Sequence, residues 1–195
     1  MGAMTEIGHL LVHTIFSLVI FVFLMRMILQ LSRADFYNPI SQFIVKYTNP
    51  VVLPLRRYVP PVGPIDTSSL LIAFLLQAIA IVVLFLMSGV TPSLGALITW
   101  SAIGLLSTIV KIYFYAVIGS IILSWISQGN YHPAAALLMQ ITEPVMAPFR
   151  KLLPSMGGLD LSPILVFLFI NVLEVLIRHM AISAGMPAGI ALGIN

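Results

Sequence analysis

Residues 49–66, NPVVLPLRRYVPPVGPID, and residues 143–160, EPVMAPFRKLLPSMGGLD, decide how this chain folds. Laid side by side, Pro50, Val51, Pro54, Arg56, Pro60, Gly63 and Asp66 meet Pro144, Val145, Pro148, Arg150, Pro154, Gly157 and Asp160. The same offset of 94 residues, Asn49 to Glu143, brings Tyr37, Pro39, Thr48 and Ser68 onto Tyr131, Pro133, Thr142 and Ser162 without a gap. Apolar bias yields chance matches at Leu or Val. It does not yield this series at Pro, Gly, Asp and Arg. The chain therefore reads as a tandem repeat, with one unit over 1–94 and a second over 95–195.

Around these stretches the chain is greasy. Of its 195 residues 60% are hydrophobic and 8% charged, against about a quarter charged in a soluble domain. Four apolar runs, at about 7–31, 68–87, 100–126 and 161–182, each have the roughly 20 residues that a bilayer core demands. They are apolar on every face and do not alternate, so they predict membrane helices and not barrel strands. The first run is not read as a signal peptide. Its flank MGAMTEIGHL holds no Lys or Arg, and no small-x-small site follows before Arg26. The expected fold is an all-α membrane protein with four transmembrane helices. Each repeat is helix, loop, helix, so the chain returns to its starting side and both repeats point the same way.

Charge sets the orientation. Arg33, Lys46, Arg56 and Arg57 lie between the first two spans, and Arg150 and Lys151 between the last two. The N-terminal flank, the 88–99 link and the tail after Ala184 hold no basic residue. Basic loops stay inside, so both long loops are expected in the cytoplasm and both termini outside a bacterial inner (plasma) membrane. A net charge of +3 gives no reason to expect nucleic acid, and the absence of cysteine excludes disulfides and thiolate chemistry.

Each loop has three parts. Residues 38–48 carry Ile40, Phe43, Ile44 and Tyr47 at helical spacing, and 132–142 form a more apolar counterpart. Pro39 and Pro133 suit a first helical turn. These short helices are expected in the interface plane or as re-entrant pieces. Next comes a proline ladder of Pro50, Pro54, Pro60 and Pro61, matched by Pro144, Pro148 and Pro154. Proline removes a donor and extends the residue before it, so no long regular helix is expected there beyond a turn near 55–58. Finally Gly63 and Gly157 allow a turn, and Asp66 and Asp160 cap the next span. The basic residues Arg56, Arg57, Arg150 and Lys151 hold orientation at anionic headgroups, and form a candidate lipid- or partner-binding pair of loops. A bond from Arg56 to Asp66, or from Arg150 to Asp160, is a third and structural use.

The pattern N/E-P, three residues, P, one residue, a basic pair, two residues, P, then G-x-[IL]-D before an apolar span resembles the YggT family, which includes YlmG-like proteins of bacteria and plastids. The resemblance covers both halves and matches the two-repeat bacterial form. Copy two departs from copy one with Glu143 for Asn49 and Ser155 for Pro61, and copy one has Pro64 where copy two has Gly158. The resemblance implies a small integral membrane protein, with relatives linked to cell division and envelope organisation, plastid cytochrome assembly and osmotic tolerance.

Charges inside hydrocarbon are expensive and mark partners or function. Lys111, Glu174 and Arg178 lie within the last two spans, with Asn171 on the Glu174 and Arg178 face. Gln77 is the repeat mate of Asn171. These five are expected to gather as a polar cluster, read first as an ion pair locking the third span to the fourth and second as an ion or proton path. Glu6, His9 and His13 share a face near the first span's outer end, and His179 sits near that of the fourth. Their spacing is too loose to assign a metal. No G-x-S-x-G, H-E-x-x-H, P-loop or paired-carboxylate signature is present, so neither catalysis nor a cofactor is expected. The expectation is a non-enzymatic organiser or assembly factor that meets membrane lipids, protein partners or further copies of itself. The alternative is an ion or osmolyte permeation factor.

Overall fold

A computed structural model of the chain describes residues 3–127, 132–152 and 160–187, and its regular elements there are all helices. They are α1 (Ala3–Leu31), α2 (Pro39–Arg56), α3 (Thr67–Met87), α4 (Leu94–Ser127), α5 (Pro133–Leu152) and α6 (Ser162–Ser183). The long apolar helices α1, α3, α4 and α6 can cross a membrane, and α2 and α5 are the amphipathic pieces between them. The 34 residues of α4 give a rod of about 51 Å, longer than the roughly 30 Å hydrocarbon core.

The packing repeats with the sequence. α1 lies along α3 and α4 along α6, α2 packs on α1 and α5 on α4, and α3 against α4 joins the halves. One end of the bundle gathers the finish of α1, the start of α3, and α2 and α5. At the other end the Phe85 and Trp100 rings stack at 5.4 Å, and Trp100 Nε1 donates to Ala184 O at 2.9 Å. That contact joins the end of α3, the start of α4 and the end of α6. A Cβ on Gly8 would meet Met87 Cε at 2.6 Å, so the start of α1 is at this end too. Both repeats therefore run in the same direction.

The proline ladder does not break the loop helices. α2 runs unbroken through Pro50 and Pro54, and α5 through Pro144 and Pro148, where the sequence predicted helices ending near 48 and 142. A proline inside a helix costs about 3 kcal/mol through its missing N–H and ring clash. Here the prolines stand four apart, and Pro50, Pro54, Pro144 and Pro148 are all exposed. The carbonyls they release therefore face outward. The opposite face is clamped by Ile44, Thr48 and Val52 in α2 and by Ile141, Thr142 and Met146 in α5. Thr48 Oγ1 donates to Ile44 O at 2.7 Å, and its mate Thr142 Oγ1 to Leu138 O at 2.8 Å. Packing thus overrides the local preference at the same positions in both copies.

Candidate functional site

α1 carries Arg26 to the end of the bundle where α2 and α3 meet. Its side chain is almost fully buried. Arg26 Nη1 donates to Thr48 Oγ1 at 2.6 Å, to Asn49 Oδ1 at 2.8 Å and to Val45 O at 3.3 Å. Its Nε donates to Asp66 Oδ2 at 3.2 Å. Arg56, at the end of α2, reaches the same Oδ2 at 2.9 Å and donates to Gln30 Oε1 at 3.0 Å. Asp66 is fully buried, caps α3 through Ser69 N, and accepts from Ser69 Oγ at 2.8 Å. Burial alone would push its carboxyl up. The bonds from Ser69, Arg56 and Arg26 outweigh burial and hold it below the usual carboxylate range. One carboxylate therefore ties three helices together.

The turn into α3 is built as its sequence implies. Gly63 has a φ of +56°, in the left-handed region that favours glycine. Val62 and Ile65 exchange two backbone bonds of 3.1 Å around it. Thr67 and Ser68 hydroxyls donate back to Pro60 O and Val59 O, each at 2.6 Å. Pro154 and Gly157, the equivalents in repeat two, lie outside the described residues.

Repeat two holds the same node with its charges rearranged. Arg150 Nη1 donates to Glu143 at 2.7 and 2.8 Å, and its Nε to Asp160 Oδ2 at 3.1 Å. Asp160 Oδ1 accepts from Ser162 N at 2.9 Å, beside the start of α6. Glu143 stands where repeat one has Asn49, and Ser120 where it has Arg26. The first node thus has two guanidiniums and one carboxylate, the second one guanidinium and two carboxylates. The second is also open, with Arg150, Glu143 and Asp160 side chains 44%, 53% and 47% exposed. The four basic residues grouped by the sequence therefore divide. Arg56 and Arg150 are bound to carboxylates, while Arg57 and Lys151 are exposed and form no ion pair among the described residues.

The five intramembrane polar residues are not brought together. Lys111 lines a groove between α1, α4 and α5 with Ser17 and Tyr115. Gln77 is fully buried within α3, its amide nitrogen and oxygen without a partner among the described residues. Asn171 and Arg178 are exposed and Glu174 half-buried, all on α6. Asn171 Nδ2 donates only along its own helix, to Phe167 O at 2.7 Å. None of the ion pairs among the described residues includes Lys111, Glu174 or Arg178. The expected lock between the third and fourth spans is absent because Lys111 projects toward α1 and not toward α6.

Arg26 is not marked by the repeated motif. A single arginine five residues from the end of a span reads as a side chain that reaches the rim. The signal was available, because a charge inside an apolar run calls for a partner, and Asp66 waited at the start of the next span.

Comparisons with known proteins give the same two-unit picture. The family model described as CCB3/YggT matches residues 5–87 and again residues 99–181. The chain is 47% identical over 180 residues to "Uncharacterized protein PA0392" of Pseudomonas aeruginosa, covering 91% of each chain. It is 40% identical over 177 residues to YggT of Escherichia coli K12, covering 90% of this chain and 91% of that one. The protein ycf19 of Porphyra purpurea is 28% identical over 83 residues, which are 42% of this chain and 87% of ycf19. No solved structure matches. With the duplicated loop motif, the packing that repeats with it and a family model that fits each half, this multi-pass membrane protein belongs to the CCB3/YggT family.

Proposed function

We propose that the chain is a non-enzymatic organiser or assembly factor of a bacterial inner membrane, with α2 and α5 as a platform at the cytoplasmic leaflet. The observation that carries this is the joining of the two loop helices across the repeats. Asn38 Nδ2 donates to Pro133 O at 2.7 Å, and Asp35 N to Gln140 Oε1 at 2.8 Å. The outward surface of α2 carries Phe43 and Tyr47, their rings 4.6 Å apart, beside Lys46. Arg57, at the C-cap of α2, and Lys151, in the last turn of α5, carry the basic character to the helix ends. Exposed aromatic and basic groups on one layer suit an anionic leaflet and a docked protein.

Affinity capture in cells tests this. Arg57→Ala with Lys151→Ala is expected to leave folding and membrane insertion unchanged and to reduce recovery of specific partners several-fold. Unchanged capture and unchanged localisation in the double variant would sink the reading. The alternative, an ion or osmolyte permeation factor, rests on Lys111, Glu174 and Arg178; Lys111 lines a groove with α1 while Glu174 and Arg178 are on α6, and this favours the organiser reading. We also propose that copies associate through α6, whose Glu174 and Arg178 have no ion-pair partner among the described residues.

A further inference from the structure

A cavity of about 350 Å³ opens beside the first node, between the end of α1 and α2. Arg26, Gln30, Ser41, Asn49 and Arg56 line it, with Phe36 on its apolar wall. Two of its buried polar atoms, Ser41 Oγ and Arg56 Nε, have no hydrogen-bond partner among the described residues. Ser41 is 3% exposed. Among the described residues Arg26 Nη2 takes no bond, because its Nη1 and Nε make the contacts to Thr48, Asn49, Val45 and Asp66. A buried hydroxyl left without a partner is destabilising, and native structures rarely leave one without a use. Asp66 does not line the cavity, so the space itself meets guanidinium, hydroxyl and amide groups and no carboxylate.

We infer that this cavity binds the phosphate of an anionic phospholipid headgroup. Guanidinium forks match the oxygens of a phosphate, and Ser41 adds a third donor. The charge agrees: Arg26 and Arg56 against Asp66 leave one positive charge, and a phosphodiester carries one negative charge. The volume is at the small end for ligand sites, which suits a headgroup and not a whole lipid. The cavity also sits at the end of α1, which the placement of α2 at a headgroup layer sets level with the phosphates, with Leu29, Phe36 and Leu53 to meet the glycerol and upper acyl chain. Repeat two has Ser120 for Arg26, Ala135 for Ser41 and Glu143 for Asn49, so it lacks three of these donors and gains a carboxylate. One lipid per chain is expected, held by repeat one. The inference rests on the placement of α2 at a headgroup layer and not on recruitment of a partner.

The test is a titration of the full, delipidated chain in detergent with phosphatidylglycerol, and separately with inorganic phosphate, read by native mass spectrometry and by thermal shift. Because a micelle has no inside or outside, the result does not depend on orientation. Wild type is expected to retain one phosphatidylglycerol and to gain thermal stability from it, with inorganic phosphate competing only at far higher concentration. Ser41→Leu, which fills the cavity, should abolish both effects. Ser41→Ala should bind about tenfold more weakly, the loss of one hydrogen bond to a charged group. Without lipid, Ser41→Ala should melt no lower than wild type, because it removes an unpartnered hydroxyl; this variant carries the test if Ser41→Leu does not fold. Undiminished phosphatidylglycerol binding in Ser41→Ala, or in a folded Ser41→Leu, overturns the inference. Inorganic phosphate binding more tightly than the lipid overturns the headgroup assignment.

Discussion

Asp66 and Asp160 occupy the same place in the two repeats, and their surroundings give them different weight. Asp66 is buried between two arginines, so its removal leaves two positive charges without their carboxylate. Breaking such a pair costs about 3–5 kcal/mol, and Asp66→Asn should lower the melting temperature strongly in detergent. Asp160 shares an exposed guanidinium with Glu143, and exposed pairs contribute about 0–1 kcal/mol, so Asp160→Asn should change little. Acid tests the same contrast. The Asp66 carboxyl is held below its ordinary value in the folded chain. Its contribution is therefore fully present above about pH 4, the unfolded carboxylate range, and is lost as pH falls through the lower folded value. Wild type should lose stability over that acid window, and Asp66→Asn should begin lower and lose less. Equal melting losses in the two variants would refute the difference between the nodes.

At the scale of the helix, α2 shows where sequence preference and packing part. Local rules stop a helix at Pro50, and the structure carries it to Arg56. The prolines are on the open side, and the buried side is held by Ile44, Thr48 and Val52. Pro50→Ala and Pro54→Ala should therefore keep helical content, measured by circular dichroism, and raise stability by up to about 3 kcal/mol each, the helix cost of proline. A loss of helix or of stability would mean that the open carbonyls or the proline ring have a structural partner. The retention of costly prolines at matched sites in both repeats fits a surface kept for contact. The apolar spans were legible from run length, because the bilayer criterion is coarse and their apolar character extends over all faces. The extent of α2 was not, because it depends on contacts with α1 and α3 distant in sequence. Within the nodes, Arg56, Asp66, Arg150 and Asp160 were legible through the duplication itself. Arg26, Gln30 and Ser41 lie outside the repeated motif, and only the meeting of α1 with α2 selects them.

For the whole molecule, the unresolved demand is on α6. Asn171, Glu174 and Arg178 share one face over residues 171–178 of α6; Asn171 and Arg178 are exposed, Glu174 is half-buried, and neither charge has an ion-pair partner among the described residues. A charge facing lipid at that depth is costly and normally turns toward protein. Two copies related by an axis along the membrane normal would set their α6 helices parallel and in register. Glu174 of each would then stand one turn from Arg178 of the other, so the surface is self-complementary in charge. The chain contains no cysteine, so a single cysteine placed on this face reports contact without background. Val175→Cys, at an exposed neighbouring position, is expected to form a disulfide-linked dimer on oxidation in membranes. Glu174→Arg should reduce that crosslink about tenfold or more by placing like charges together. Adding Arg178→Glu in the same chain restores opposite charges across the axis and should restore the crosslink. Crosslinking that ignores the single reversal, or that the double reversal does not recover, would remove α6 as the contact between copies.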